Sequence, residues 1–225
     1  MSSVCGNGEN GTQTTSVRDL PRLAALIIAA AIVTGCAMTH SAPAPADRGP
    51  NPTATAIPPA LLSQARPIGA GPRFQPPATG PVTGGCLPSL GARDGVHVEV
   101  FAANRVVLLP AGIGTRSPRA PVTGRITRAR CYGALVTLDT TGLVLVRPGT
   151  RLTVAALFRS WGQPLSATRL ASFPAAAGSR VTVFVDGRPW RGAPGAVPLT
   201  RHAEIVLEVG PYVPPHASYA FPPGT

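Results

Sequence analysis

The feature that most limits what this chain can fold into is a junction. An uncharged apolar run from Leu23 to Val33, preceded by Arg18 and Arg22, closes on Thr34-Gly35-Cys36. A basic start, a short apolar centre and small residues at the boundary make the pattern of a secretory signal. Spanning a bilayer takes roughly 20 apolar residues, and this run falls well short. Residues 1–35 are therefore expected to be a leader that contributes nothing to the core. Residues 36–84 run through Ser41-Ala-Pro-Ala-Pro-Ala46, Pro50, Pro58-Pro59 and Pro76-Pro77 with few aromatics and no sustained apolar period. Such a stretch cannot bury enough surface to offset the entropy of ordering, and its prolines favour an extended spacer, so a disordered tether is expected. Residues 85–225 remain, enough for one domain with a real core.

Val33-Thr34-Gly35-Cys36 resembles the lipobox of bacterial lipoproteins. The resemblance implies that the Cys36 thiol carries diacylglycerol and that a peptidase cuts just before it. It also implies a place: the cell membrane, lipid-anchored on the extracytoplasmic face. Two or more acyl chains hold stably where one does not, at about 0.8 kcal/mol per buried methylene. The domain behind such an anchor needs no membrane-binding surface of its own.

Export also governs how charge and cysteine are read. All 20 basic residues are arginine, against 9 acidic ones, for a formal net charge of +11. Arginine without lysine, beside an excess of Ala, Pro and Gly, points to GC-rich coding bias. The charge favours anionic partners. An exported protein seldom meets nucleic acid, so no nucleic acid is expected as a partner and anionic lipids or cell-envelope polymers are better counter-charges. Solvated arginines with no dedicated partner are the leading reading of the charge. Cys5 falls in the leader and Cys36 at the acylation site. Cys86 and Cys131 remain as an even pair in an oxidising compartment, and they are expected to form a disulfide.

Along the domain, Val96, Val98 and Val100 alternate with His97, Glu99 and Phe101, the period of a half-buried strand, and Val106 to Leu109 reads as its hairpin partner. Arg116, Arg119, Arg125, Arg128 and Arg130 share a stretch with Pro118, Pro121 and Gly124, which reads as a mobile, solvated loop. A second hairpin follows, Gly133 to Leu138 and Leu143 to Val146, across Asp139-Thr-Thr-Gly142. Thr153 can cap a helix over Val154 to Trp161, with Gly162 at its stop. Val181 to Val185 alternates again, Asp186-Gly187 is a hairpin signal, and Ala203 to Val209 is the last strand. The tail from Pro211 to Thr225, with Tyr212, Tyr219 and Phe221, is expected to lie extended along the domain. Hairpins, one helix, then more strands predict an α+β domain, its single helix packed on a mixed or antiparallel sheet in a β-grasp-like arrangement.

Several landmarks stand between residues 95 and 225: Pro110-Ala-Gly-Ile-Gly114, Cys131-Tyr132, Asp139-Thr140, Gly142, Trp161-Gly-Gln-Pro-Leu165, Val183 to Gly187, Pro198-Leu-Thr200, His202-Ala-Glu-Ile205 and Phe221-Pro-Pro-Gly224. In these the chain resembles an uncharacterised family of His-rich, membrane-anchored bacterial proteins. The resemblance implies histidines alternating on strand faces, which suit a transition metal. Here His97 and His202 stand at such positions, while Arg93, Gly95, Val136, Leu138 and Leu145 occupy others, so most of the implied ligands are missing. A surviving metal set would draw on His97, Glu99, Asp139, His202 and Glu204, because each histidine shares a strand face with a carboxylate two residues on.

Catalytic signatures are lacking: there is no Gly-x-Ser-x-Gly, Cys-x-x-Cys or His-Glu-x-x-His and no phosphate loop. His97 and His202 have no nucleophile at a predictable spacing, and no cofactor is expected. The leading expectation is a non-enzymatic, lipid-anchored envelope protein that binds or scaffolds a partner. The alternative is a metal-binding envelope protein with an altered site, and the third is an envelope enzyme of unrecognised kind.

Overall fold

The computed structural model describes residues 65–225. Residues 1–64, on which the expected leader and the expected acylation at Cys36 fall, lie outside the described part. Twelve strands and one α-helix follow in order: β1 (Asp94–Ala102), β2 (Arg105–Val106), β3 (Thr115–Val122), β4 (Arg125–Tyr132), β5 (Leu135–Thr137), β6 (Leu143–Val146), α1 (Val154–Trp161), β7 (Leu165–Ser166), β8 (Arg169–Leu170), β9 (Phe173–Pro174), β10 (Thr182–Val185), β11 (Arg188–Pro189) and β12 (Glu204–Val209). The main sheet runs β11-β10-β12-β1-β6-β5, with β2 added to β1. Its centre is the parallel pair β1 and β12, in register at His97↔Glu204, Val98↔Ile205 and Val100↔Leu207. The flanking pairs are antiparallel. This is the α+β architecture with one packed helix, and its central parallel pair gives it the β-grasp-like order.

Alternation explains which face meets the helix. Val96, Val98 and Val100 of β1 and Ile205 and Leu207 of β12 are buried in one cluster with Leu157, Phe158 and Trp161 of α1. Burying each such side chain contributes roughly 1.5–3 kcal/mol. The helix ends at Gly162, whose φ of 85° is the left-handed stop and whose N–H reaches Phe158 O and Arg159 O. Thr153 contributes no side-chain cap, contrary to expectation; its carbonyl accepts from Ala156 N and Leu157 N.

The opposite face is covered too, so it is not half-exposed. Phe101, Phe184, Val206 and Val213 form one cluster there. Val136, Leu138, Leu143 and Leu145 form another with Ile126 and Tyr132. Polar residues of this face are consequently buried: His97 is 6 %, Glu204 1 % and Glu208 4 % exposed.

Two further expectations need correction. The tether does not extend to residue 84, because the chain from 65 onward packs on the domain. Gly69 N and Val106 O bond at 3.0 Å, Trp161 Nε1 donates to Pro76 O, Thr79 N donates to Trp161 O, and the Thr83 and Ser160 hydroxyls meet at 2.7 Å. Phe74 anchors the stretch against Phe173, ring centroids 4.7 Å apart. Prolines that lack N–H donors still offer carbonyls, and the domain uses them. The arginine-rich segment is likewise no loop: β3 and β4 pair as a separate two-stranded ribbon, with register shifts near Pro118 and Pro121. Cys86 and Cys131 are disulfide-bonded, and Leu87 and Tyr132 exchange backbone hydrogen bonds beside them. Among the described residues no helix is long and apolar enough to cross a membrane.

Candidate functional site

The parallel register of β1 and β12 sets His97 opposite Glu204 on the face away from α1. His97 Nδ1 lies 2.7 Å from Glu204 Oε2, and its Nε2 lies 2.9 Å from Thr141 O. A carbonyl can only accept, so Nε2 carries a hydrogen and points Nδ1 at the carboxylate. One proton then sits between Nδ1 and Oε2. Burial alone works against a charged His97, but the Glu204 hydrogen bond and charge, the Thr141 carbonyl and Glu99 outweigh it and hold the imidazole above its ordinary value. Burial lifts Glu204 above the ordinary carboxylate range as well, against the pull of His97 and with help from Glu99. Both directions describe a pair that retains its proton.

Glu204 is only half answered. Its Oε1 is buried with no hydrogen-bond partner, although an orphaned carboxylate oxygen is costly in a dry site. Glu99, two residues along β1, brings a second carboxylate to the same place. One donor atom from each of His97, Glu99 and Glu204 can be chosen so that all lie within 4.8 Å of one another. These three side chains line an open cleft with His216, Ser218 and Tyr219 of the tail. Tyr219 stacks on the His97 ring at 3.8 Å, nearly parallel, and His216 Nδ1 lies 2.7 Å from Glu99 Oε2.

The β5–β6 turn supplies the support. Asp139 Oδ1 accepts from Thr141 N at 3.2 Å and from Thr141 Oγ1 at 2.5 Å, which shapes the turn that aims Thr141 O at His97. Gly142 completes it. Its φ is +86°, its carbonyl takes the hydrogen of Val98 N, and a Cβ there would stand 2.9 Å from His97 Nε2. No L side chain fits that position without displacing the imidazole.

Three of the five expected metal residues thus converge: His97, Glu99 and Glu204. Asp139 does not join them, because it holds the turn and forms an ion pair with Arg125. His202 does not join them either, since its Nε2 donates to Thr225 O at 2.5 Å and its ring stacks on Phe221. Where the resemblance implied further histidines, Val136, Leu138 and Leu145 are buried in an apolar cluster. Arg93 is a brace, donating to Leu90 O at 2.7 Å and Gly133 O at 2.8 Å. Neither His216 nor Thr141 was singled out by the sequence pattern. The usable signal was the aromatic content of the tail, which marks a segment with a surface to cover. Comparison with family models, with curated proteins and with solved structures gave no match.

Proposed function

We propose that this chain is a cell-envelope lipoprotein, anchored through Cys36, whose folded domain binds a divalent transition-metal ion in a non-enzymatic role. One observation carries the metal reading: His97, Glu99 and Glu204 bring donors within 4.8 Å of one another while Glu204 Oε1 is buried without a partner. The bond from His97 Nε2 to Thr141 O is the outer contact that fixes the tautomer of a metal-ligating histidine, leaving Nδ1 free to coordinate. Nitrogen with carboxylate oxygen is a borderline donor set, suited to zinc or copper more than to calcium or magnesium. An ion here replaces the proton shared by His97 and Glu204.

Titration of the purified full-length chain with zinc tests this. One equivalent is expected to bind at micromolar or tighter affinity and to be lost in Glu204→Gln. Absence of micromolar binding of zinc and of copper overturns the reading. The anchor is supported by the signal pattern and Val33-Thr34-Gly35-Cys36. Its check is independent: intact mass should show two or three acyl chains on a product starting at Cys36, absent from Cys36→Ala.

A further inference from the structure

The geometry points to His216 as a fourth ligand, carried to the ion by the C-terminal tail, so that filling the site and docking the tail are coupled. The inference rests on the metal-binding reading above. The tail from Pro211 to Thr225 contains no strand. Among the described residues no backbone-to-backbone hydrogen bond joins it to the rest of the domain. Side chains hold it instead. Val213 N donates to Glu208 Oε2 at 2.9 Å, His216 meets Glu99, Tyr219 stacks on His97, and His202 donates to Thr225 O. The two middle attachments fall on the proposed ligands themselves.

His216 lines the same cleft as His97, Glu99 and Glu204 and its Nδ1 lies 2.7 Å from a Glu99 oxygen. It stands outside the three donors that share 4.8 Å, so it reaches an ion there by a movement of the tail. Adding it to the three strand-borne donors makes a set of two imidazoles and two carboxylates. With both imidazoles neutral, the two carboxylates balance the charge of a divalent ion. Four protein ligands close a zinc site, whereas three leave a position open to solvent. Three of these ligands are fixed on neighbouring strands and the fourth rides on a segment that lacks ladder bonds. The ion therefore clamps the tail across β1 and β12, and lifting the tail opens the ion to exchange.

The test uses the full-length chain with Cys5→Ser and Cys36→Ser, which removes free thiols that compete for zinc. Zinc affinity is measured against a chromophoric chelator, and amide hydrogen exchange is followed over the tail. His216→Gln keeps a hydrogen bond to Glu99 but not the imidazole. It is expected to weaken zinc by at least about 10-fold, the low end of losing a group that supports a metal centre. Zinc should slow exchange across the tail in the parent and not in His216→Gln. Tyr219→Leu, which loosens the tail and keeps every donor, should weaken zinc less than His216→Gln does. Zinc binding that needs Glu204 but is unchanged in His216→Gln, with tail exchange indifferent to zinc, overturns this inference and leaves the metal reading standing. No zinc binding in the parent chain overturns both.

Discussion

Glu99, Glu204 and Glu208 lie on one face of the sheet, and each is answered differently. Glu99 meets His216, Glu204 shares a proton with His97, and Glu208 has the backbone N–H of Val213 at 2.9 Å. Burial raises Glu208 above the ordinary carboxylate range, and the Val213 hydrogen bond offsets this in part. A carboxyl whose folded value is raised stabilises most when pH is below its unfolded value, and that contribution is lost as pH rises through the folded value. Glu208→Gln keeps an acceptor for Val213 and removes the charge. It is expected to raise Tm at pH 7, with the gain shrinking toward zero as pH falls below about 4, the unfolded glutamate value. Thermal melts of both proteins from pH 3.5 to 8 check this, and a gain independent of pH would refute the assignment. The alternation that placed His97, Glu99 and Glu204 was legible, because period 2 states which side chains share a face. What each side chain meets across the fold was not. His202 adopts φ +64° and turns to the chain end, and Asp139 is spent on its own turn. The Asp139 turn has a local signal in Asp139-Thr-Thr-Gly142, whereas the conformation of His202 has none.

Among the elements, the legible ones were those that sort apolar from polar residues at a fixed period: β1, β12, the β5–β6 hairpin and α1. The β3–β4 ribbon escaped because Pro118 and Pro121 interrupt β3 and most of its side chains are exposed. It is held by its own ladder and by Ile126, Ala129 and Tyr132, which reach into the apolar cluster under it. Residues 65–84 escaped for a related reason, since their hold depends on backbone N–H and carbonyl groups, on the Thr83 hydroxyl and on the ring of Phe74. The disulfide joins this entering segment to the ribbon, closing 45 residues between Cys86 and Cys131. By the chain-entropy argument it contributes about 3–4 kcal/mol. Cys86→Ala with Cys131→Ala should lower the unfolding free energy by that amount in urea without changing the far-ultraviolet circular dichroism of the folded state. A loss under about 1 kcal/mol would mean that the Leu87–Tyr132 bridge holds the segment unaided; typical losses of a native disulfide run from 2 to 5.

Across the whole domain the sheet is covered twice, by α1 with its neighbouring loops on one face and by the ribbon cluster and tail on the other. That second cover is what turns outward-facing polar positions into a buried site. It also makes the tail part of the structure and not an appendage: Val213 is 1 % exposed, and Phe101, Phe184 and Val206 lie in its cluster. A chain ending at Gly210 keeps every strand and helix, so it should fold. It forfeits the burial of Val213 and the half-burial of Tyr219 on His97 and of Phe221 on His202, worth about 3–6 kcal/mol in total at the usual values for apolar side chains. It also uncovers Phe101, Phe184 and Val206 as a contiguous apolar patch, which favours self-association. Urea unfolding should show the loss, and light scattering coupled to size exclusion should show oligomers absent from the full chain. Unaltered stability with a monomeric profile would mean that the tail does not dock in solution. Outright unfolding would place the tail in the folding core itself, a stronger role than a detachable cover over the His97–Glu204 cleft.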